Sequence, residues 1–130
     1  MNSKKLLINL SNHPISEWSE QQQVASNEYG RCLDFPFPRV NPQDSIDRIV
    51  YQSSQVVERV LNIIEKEQAQ GFTTIHVMGE MTMTMALVQS FQRRNIECIA
   101  STANRFSKLV EPGKKLITFK FVRFRTFPIL

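Results

Sequence analysis

The chain has 130 residues, 42% of them hydrophobic and 22% charged, with a formal net charge of +4. That length suits one domain spanning residues 1–130, and the balance of apolar and charged residues excludes a disordered or fibrous chain. The mild positive charge fits a polyanion such as a nucleotide or RNA, but no Lys/Arg-rich block of the kind that engages DNA is present, and no apolar run is long enough to span a membrane.

The first strand is predicted at Lys4–Leu10, running into Ser11-Asn12-His13-Pro14. Pro14 disfavours helix at His13, so these polar residues belong to a loop at the strand's C-terminal end. Ser16 reads as a helix N-cap, with Glu17 and Glu20 in the following turn and Ser16 and Ser19 offering the capping hydroxyls, and the helix is expected to reach about Glu28 with Trp18, Val24 and Ala25 inward. A second strand is expected at Arg31–Phe35, followed by an irregular segment held by Pro36, Pro38 and Pro42. Asp44 or Ser45 caps a long helix running to about Ala69. Its apolar positions, among them Ile46, Ile49, Val50, Val56, Val57, Val60 and Ile64, recur at helical spacing.

From Phe72 to Val88 a β-branched apolar run passes through Gly79 into good helix formers, the pattern of a buried strand, a tight turn and a helix to about Arg94. A helix that starts this way offers free N–H groups and the positive end of its dipole to an anion. Gly79 permits close backbone approach, and Thr82 adds a hydroxyl. The ordinary alternative is a strand-to-helix turn that binds nothing. Ile96–Ala100 is expected as another buried strand, Ser101–Arg105 as the loop after it, and Glu111-Pro112-Gly113-Lys114 as a turn. Leu116–Phe127 alternates apolar and basic residues, which suits a closing strand at a sheet edge. Cys32 and Cys98 lie in apolar strand-like runs and are expected as buried free thiols.

Strands alternating with helices predict an α/β protein, a Rossmann-like three-layer sandwich with a mostly parallel sheet. Ligands of such sheets bind outside the carboxyl ends of the strands. Three polar segments are expected there: Ser11-Asn12-His13, Gly79-Glu80-Met81-Thr82, and Ser101-Thr102 through Arg105. No GxGxxG, Walker loop or Gly-x-Ser-x-Gly elbow accompanies them. His76 falls in mid-strand and is expected to be a satisfied core residue. His13 and Glu80 alone are too few for a metal centre, and no cofactor is predicted. The remaining chemistry suits a phosphodiester: Arg105 and the amides after Gly79 for the phosphate, and Ser11, Asn12, Ser101 and Thr102 for orientation. His13 would contact the ligand or transfer a proton.

Taken together, several stretches resemble the small stand-alone CARF-like ring nucleases of type III CRISPR systems. They are Asn12-His13-Pro14 after the first strand, Gly79-Glu80, Ala100-Ser101-Thr102-Ala103-Asn104-Arg105, and the ending Phe119-Lys120-Phe121-Val122-Arg123-Phe124-Arg125. The similarity spans almost the whole chain through short motifs. Where those relatives tend to have aspartate after the glycine and tyrosine near the end, this chain has Glu80 and Phe127. The resemblance implies a CARF-like homodimer that binds cyclic oligoadenylate across its two-fold axis, the tetra-adenylate in the first instance, while the sequence, with no signal-peptide or membrane-span pattern, leaves the cytoplasm as the expected location. It also implies metal-independent cleavage of that ring, with His13 and Arg105 as catalytic residues. A binder that holds the messenger without cutting it, and a protein-interaction module, are the other readings.

Overall fold

The computed structural model of the chain describes residues 4–130. Five strands and three helices follow one another as β1 (Leu6–Ser11), α1 (Glu20–Ser26), β2 (Arg31–Pro36), α2 (Ile46–Lys66), β3 (Thr73–Met78), α3 (Met81–Gln92), β4 (Glu97–Glu111) and β5 (Lys114–Thr126). The sheet order is β2-β1-β3-β4-β5, the first four strands parallel and β5 antiparallel to β4. The protein is therefore an α/β sandwich of the expected Rossmann-like kind. No helix among the described residues is long and apolar enough to cross a membrane.

Helices cover both faces of the sheet, so its central strand reads as a nearly continuous apolar run, and all six residues of β1 are buried. Leu6, Ile8 and Leu10 join Ile75, Val77 and Cys98 in the core cluster built with α2 and α3. Leu7 and Ile99 face the other way, packing with Trp18 and Phe124 on the α1 side. Strand alternation then places Asn9, Ser11, His76 and Ser101 on this second face too. The α1 layer is thin, since the helix has only seven residues.

Several local expectations change. Ser16 is not a cap. Ile15–Glu17 forms one 3-10 turn, Trp18 is extended, and Ser19 caps α1 through the Gln22 N–H. Trp18 itself is extended, and its indole packs inward on His76 and Phe124. Val24 is 62% exposed rather than inward. Ser45 caps α2 as expected, but Gln68 and Asn95, both at positive φ, sit just past the ends of α2 and α3, two residues beyond Lys66 and three beyond Gln92. Ile46 and Val50 are exposed, so the buried stripe of α2 begins at Ile49.

The largest departure is at Ser101–Arg105, which is strand and not loop. β4 pairs with β3 only as far as Ile99 and then continues with β5 as a two-stranded arm. A bulge between Thr102 and Ala103, opposite Val122, bends this arm.

Candidate functional site

In a sheet of order 2-1-3-4-5 the connections leave β1 toward opposite faces, and the crevice beyond the ends of β1 and β3 is the topological switch point. A cavity of about 360 Å³ lies there, on the α1 side. Its floor is Ser11, His76 and Met78. Ser101 forms one wall, His13 and Trp18 another, and Phe119 and Phe121 reach in from the bent arm.

A polar ladder crosses the sheet beneath this cavity. Asp34, Asn9 and His76 are lateral neighbours on β2, β1 and β3. The Asn9 Nδ2 group, which can only donate, gives hydrogen bonds to Asp34 Oδ1 at 2.9 Å and to the His13 carbonyl at 2.8 Å. Its Oδ1 must then accept. It takes the Ser11 hydroxyl at 2.8 Å and lies 2.8 Å from His76 Nδ1, which therefore carries the proton. The unprotonated Nε2 faces Ser101 Oγ at 3.2 Å and accepts its hydroxyl. Four strands thus contribute one chain: Asp34, Asn9, His76, Ser101.

The His76 ring is buried between Trp18 and Phe124, with ring centroids 5.4 and 5.5 Å away. Burial lowers its pKa from 6.5 to about 4, so the imidazole is neutral at pH 7. A neutral ring with one proton fixed by Asn9 presents its lone pair in a single direction, toward Ser101 and the cavity.

The residues proposed from sequence divide into two groups. Ser11, His13 and Ser101 line the cavity. Arg105 does not line the cavity; it pairs with Phe119 across the arm and shares that residue's face of the ribbon. Asn12 lies on the other side of β1, in a smaller groove with Asp34 and Phe37. Thr102 is engaged in the bulge, where its hydroxyl donates to the Arg123 carbonyl at 3.0 Å and accepts the Arg123 N–H.

Gly79, Glu80, Met81 and Thr82 stand apart from the cavity, at the start of α3. The Glu80 carboxylate caps this helix itself, accepting the Met83 N–H and the Thr82 hydroxyl, each at 2.7 Å. The Met83 N–H first, and the Thr82 hydroxyl second, hold its pKa below the usual carboxylate range. The N-terminus expected to receive an anion is thus already occupied by one. The closeness that Gly79 allows is to Phe37: a Cβ at residue 79 would run into the Phe37 ring. The Phe37 N–H also bonds the Ser11 carbonyl at 3.1 Å, so the proline-rich segment closes down over β1 and β3. Met81 is exposed, at the rim of a separate apolar cavity.

Asn9 is the contributor that sequence reasoning passed over, while His76 and Trp18 are buried as expected, His76 with both ring nitrogens satisfied, and in addition line the cavity. The available signal was polarity out of place: Asn9 interrupts Leu-Leu-Ile-Asn-Leu and His76 interrupts Thr-Thr-Ile-His-Val-Met, both in strands otherwise built for burial. Both cysteines are free, and burial pushes each thiol up to about 12, which leaves them unreactive. Among the described residues, no three His, Cys, Asp or Glu side chains converge.

One protein family, described as the uncharacterized protein MJ1673 family, matches residues 5–125, nearly the whole chain, and the chain belongs to it. No curated protein and no solved structure matches it.

Proposed function

We propose that this member of the MJ1673 family is a CARF-like ring nuclease, which binds cyclic oligoadenylate at the cavity beside His76 and cleaves it without a metal ion. The observation that carries the reading is the meeting of Ser11, His13 and Ser101 in one cavity at the switch point of the sheet. The cavity is amphipathic in the way a nucleotide is. Trp18, Phe119 and Phe121 offer faces on which adenine can stack, while the hydroxyls and imidazoles serve ribose and phosphate. Arg105, which shares the ribbon face of Phe119, supplies a cationic partner for phosphodiester charge.

The reaction needs little machinery because its nucleophile, a ribose 2′-hydroxyl, belongs to the substrate. The protein holds it in line with the neighbouring phosphate and stabilises the charge that develops there. A cavity of about 360 Å³ takes a nucleotide unit rather than a ring of them. A second copy of the chain would present the same cavity across a two-fold axis, so a cytoplasmic homodimer is part of the proposal.

Purified protein incubated with cyclic tetra-adenylate in EDTA is expected to yield linear products ending in a 2′,3′-cyclic phosphate. Arg105→Ala should lose most of that activity, and full activity in this variant would remove Arg105 from the site. One observation favours a second reading, a binder that sequesters the ring. With Glu80 capping α3, the helix N-terminus expected to stabilise a phosphate is filled. Recovery of intact ligand after hours of incubation with the wild-type protein would decide for sequestration.

A further inference from the structure

We propose that His76 is the proton acceptor of the cleavage reaction, held for that role by Asn9. The inference rests on the cyclic oligoadenylate reading above and assigns its base. The Asp34–Asn9–His76 register fixes the ring's tautomer and rotation, because Asn9 Oδ1 has no orientation open to it other than accepting from Nδ1. The lone pair on Nε2 is left aimed at the cavity, with the Ser101 hydroxyl 3.2 Å away as its resting partner. A base whose other nitrogen is tied to an orienting group, and whose free nitrogen already holds a hydroxyl, has the arrangement that proton abstraction from an alcohol requires.

In the reaction the substrate's 2′-hydroxyl takes the place of Ser101 at Nε2. Its proton passes to Nε2 as the 2′-oxygen bonds to the adjacent phosphorus, and the bond from phosphorus to the 5′-oxygen breaks. That oxygen takes a proton from water in the cavity that His13 also lines, and His76 returns its own proton to water. The products are a 2′,3′-cyclic phosphate and a 5′-hydroxyl, with no other reactant consumed. In the empty cavity His76 is a weak base, but an arriving phosphodiester brings negative charge beside it and favours the protonated ring. Asn9 is a positioning residue, since it acts only through His76.

The test compares wild type, His76→Asn and His76→Ala with cyclic tetra-adenylate, measuring binding and cleavage separately. His76→Asn keeps a donor for Asn9 Oδ1 and removes the group at the Nε2 position. It should bind the ring within about threefold of wild type and cleave it at least about 100-fold more slowly. His76→Ala should regain activity on addition of free imidazole, by about tenfold or more, because the small molecule can occupy the space of the lost ring. Cleavage by His76→Asn at close to the wild-type rate overturns the proposal and leaves the ring-nuclease reading standing. So does a His76→Ala variant that imidazole does not restore, since the histidine is then structural. Wild-type protein that binds the ring and never cuts it overturns both the base assignment and cleavage, and wild-type protein that does not bind it overturns the whole reading.

Discussion

At the scale of single residues, the buried polar pair Asn9–His76 sets the terms for stability as well as for chemistry. The folded state holds His76 neutral, whereas the unfolded chain takes up the proton as soon as the pH falls below 6.5. Between 6.5 and about 4 the unfolded state therefore binds more protons than the folded one, and stability declines as the solution becomes more acid. The full effect is on the order of 3 kcal/mol, all of it present above pH 6.5 and lost by about pH 4. Thermal melts from pH 7 to pH 4.5 should show this decline in wild type and a shallower one in His76→Asn. Parallel curves for the two proteins would show that the ring titrates normally. Gly79 gives a second prediction at this scale. Its φ is not positive, so backbone freedom is not the reason for glycine; the Phe37 ring is. Gly79→Ala should cost roughly 1–3 kcal/mol by overpacking, read from a urea unfolding midpoint, and in a double-mutant cycle with Phe37→Ala the combined loss should be less than additive, because removing the ring removes the clash. The glycine was legible in the sequence and its reason was not, because the aromatic ring that needs the space lies 42 residues away along the chain.

At the scale of elements, the sequence carried the alternation of strands and helices well, since each buried strand is a short apolar run and α2 repeats its apolar positions at helical spacing. It misled at Ser101–Arg105, where Ser, Thr, Asn and Arg have the composition of a loop. Those residues are polar because the arm they build leaves the sheet and meets solvent, so polarity here reports exposure and not irregular backbone. Likewise Ser16 has the local chemistry of a cap, yet a 3-10 turn and an extended Trp18 come first and Ser19, three residues on, makes the cap. The arm from Ala103 onward extends about 30 Å beyond the paired sheet at strand rise. Its outer residues belong to neither core cluster, although Phe106, Leu109, Leu116, Ile117 and Phe119 are apolar and exposed. A lone two-stranded ribbon is marginal in water, and apolar groups along it favour a covering partner. Replacing residues 107–117 with an Asn-Gly turn keeps Phe119, Phe121 and Phe124 and should move the melting temperature of the isolated chain by no more than about 3 °C. A drop several times larger, by differential scanning calorimetry, would mean that the arm contributes to the core after all.

At the scale of the whole molecule, charge is divided unevenly. Arg105, Lys108, Lys114, Lys115, Lys120, Arg123 and Arg125 lie on β4 and β5 against the single acid Glu111 between residues 101 and 126, so this ribbon is more positive than the chain's overall +4 and the remainder is net acidic. A ribbon of that kind suits a polyanion, and in the proposed homodimer it would also suit the acidic body of a second copy. The two attractions are compatible if the ring sits on the two-fold axis, with one nucleotide entering each cavity and both arms closing on the phosphates between. Titration calorimetry with cyclic tetra-adenylate should then return one ring per two chains. Affinity should fall as salt rises, and Arg105→Ala should flatten that dependence by about 0.7 in the slope of log affinity against log salt if Arg105 meets a phosphate. One ring per chain would place the ligand within a single copy and dissolve the reason for a dimer. An unchanged slope in Arg105→Ala would leave that arginine as a ribbon charge not engaged with the ligand, like Lys120, which faces away from the cavity over the Phe106 ring at 5.6 Å.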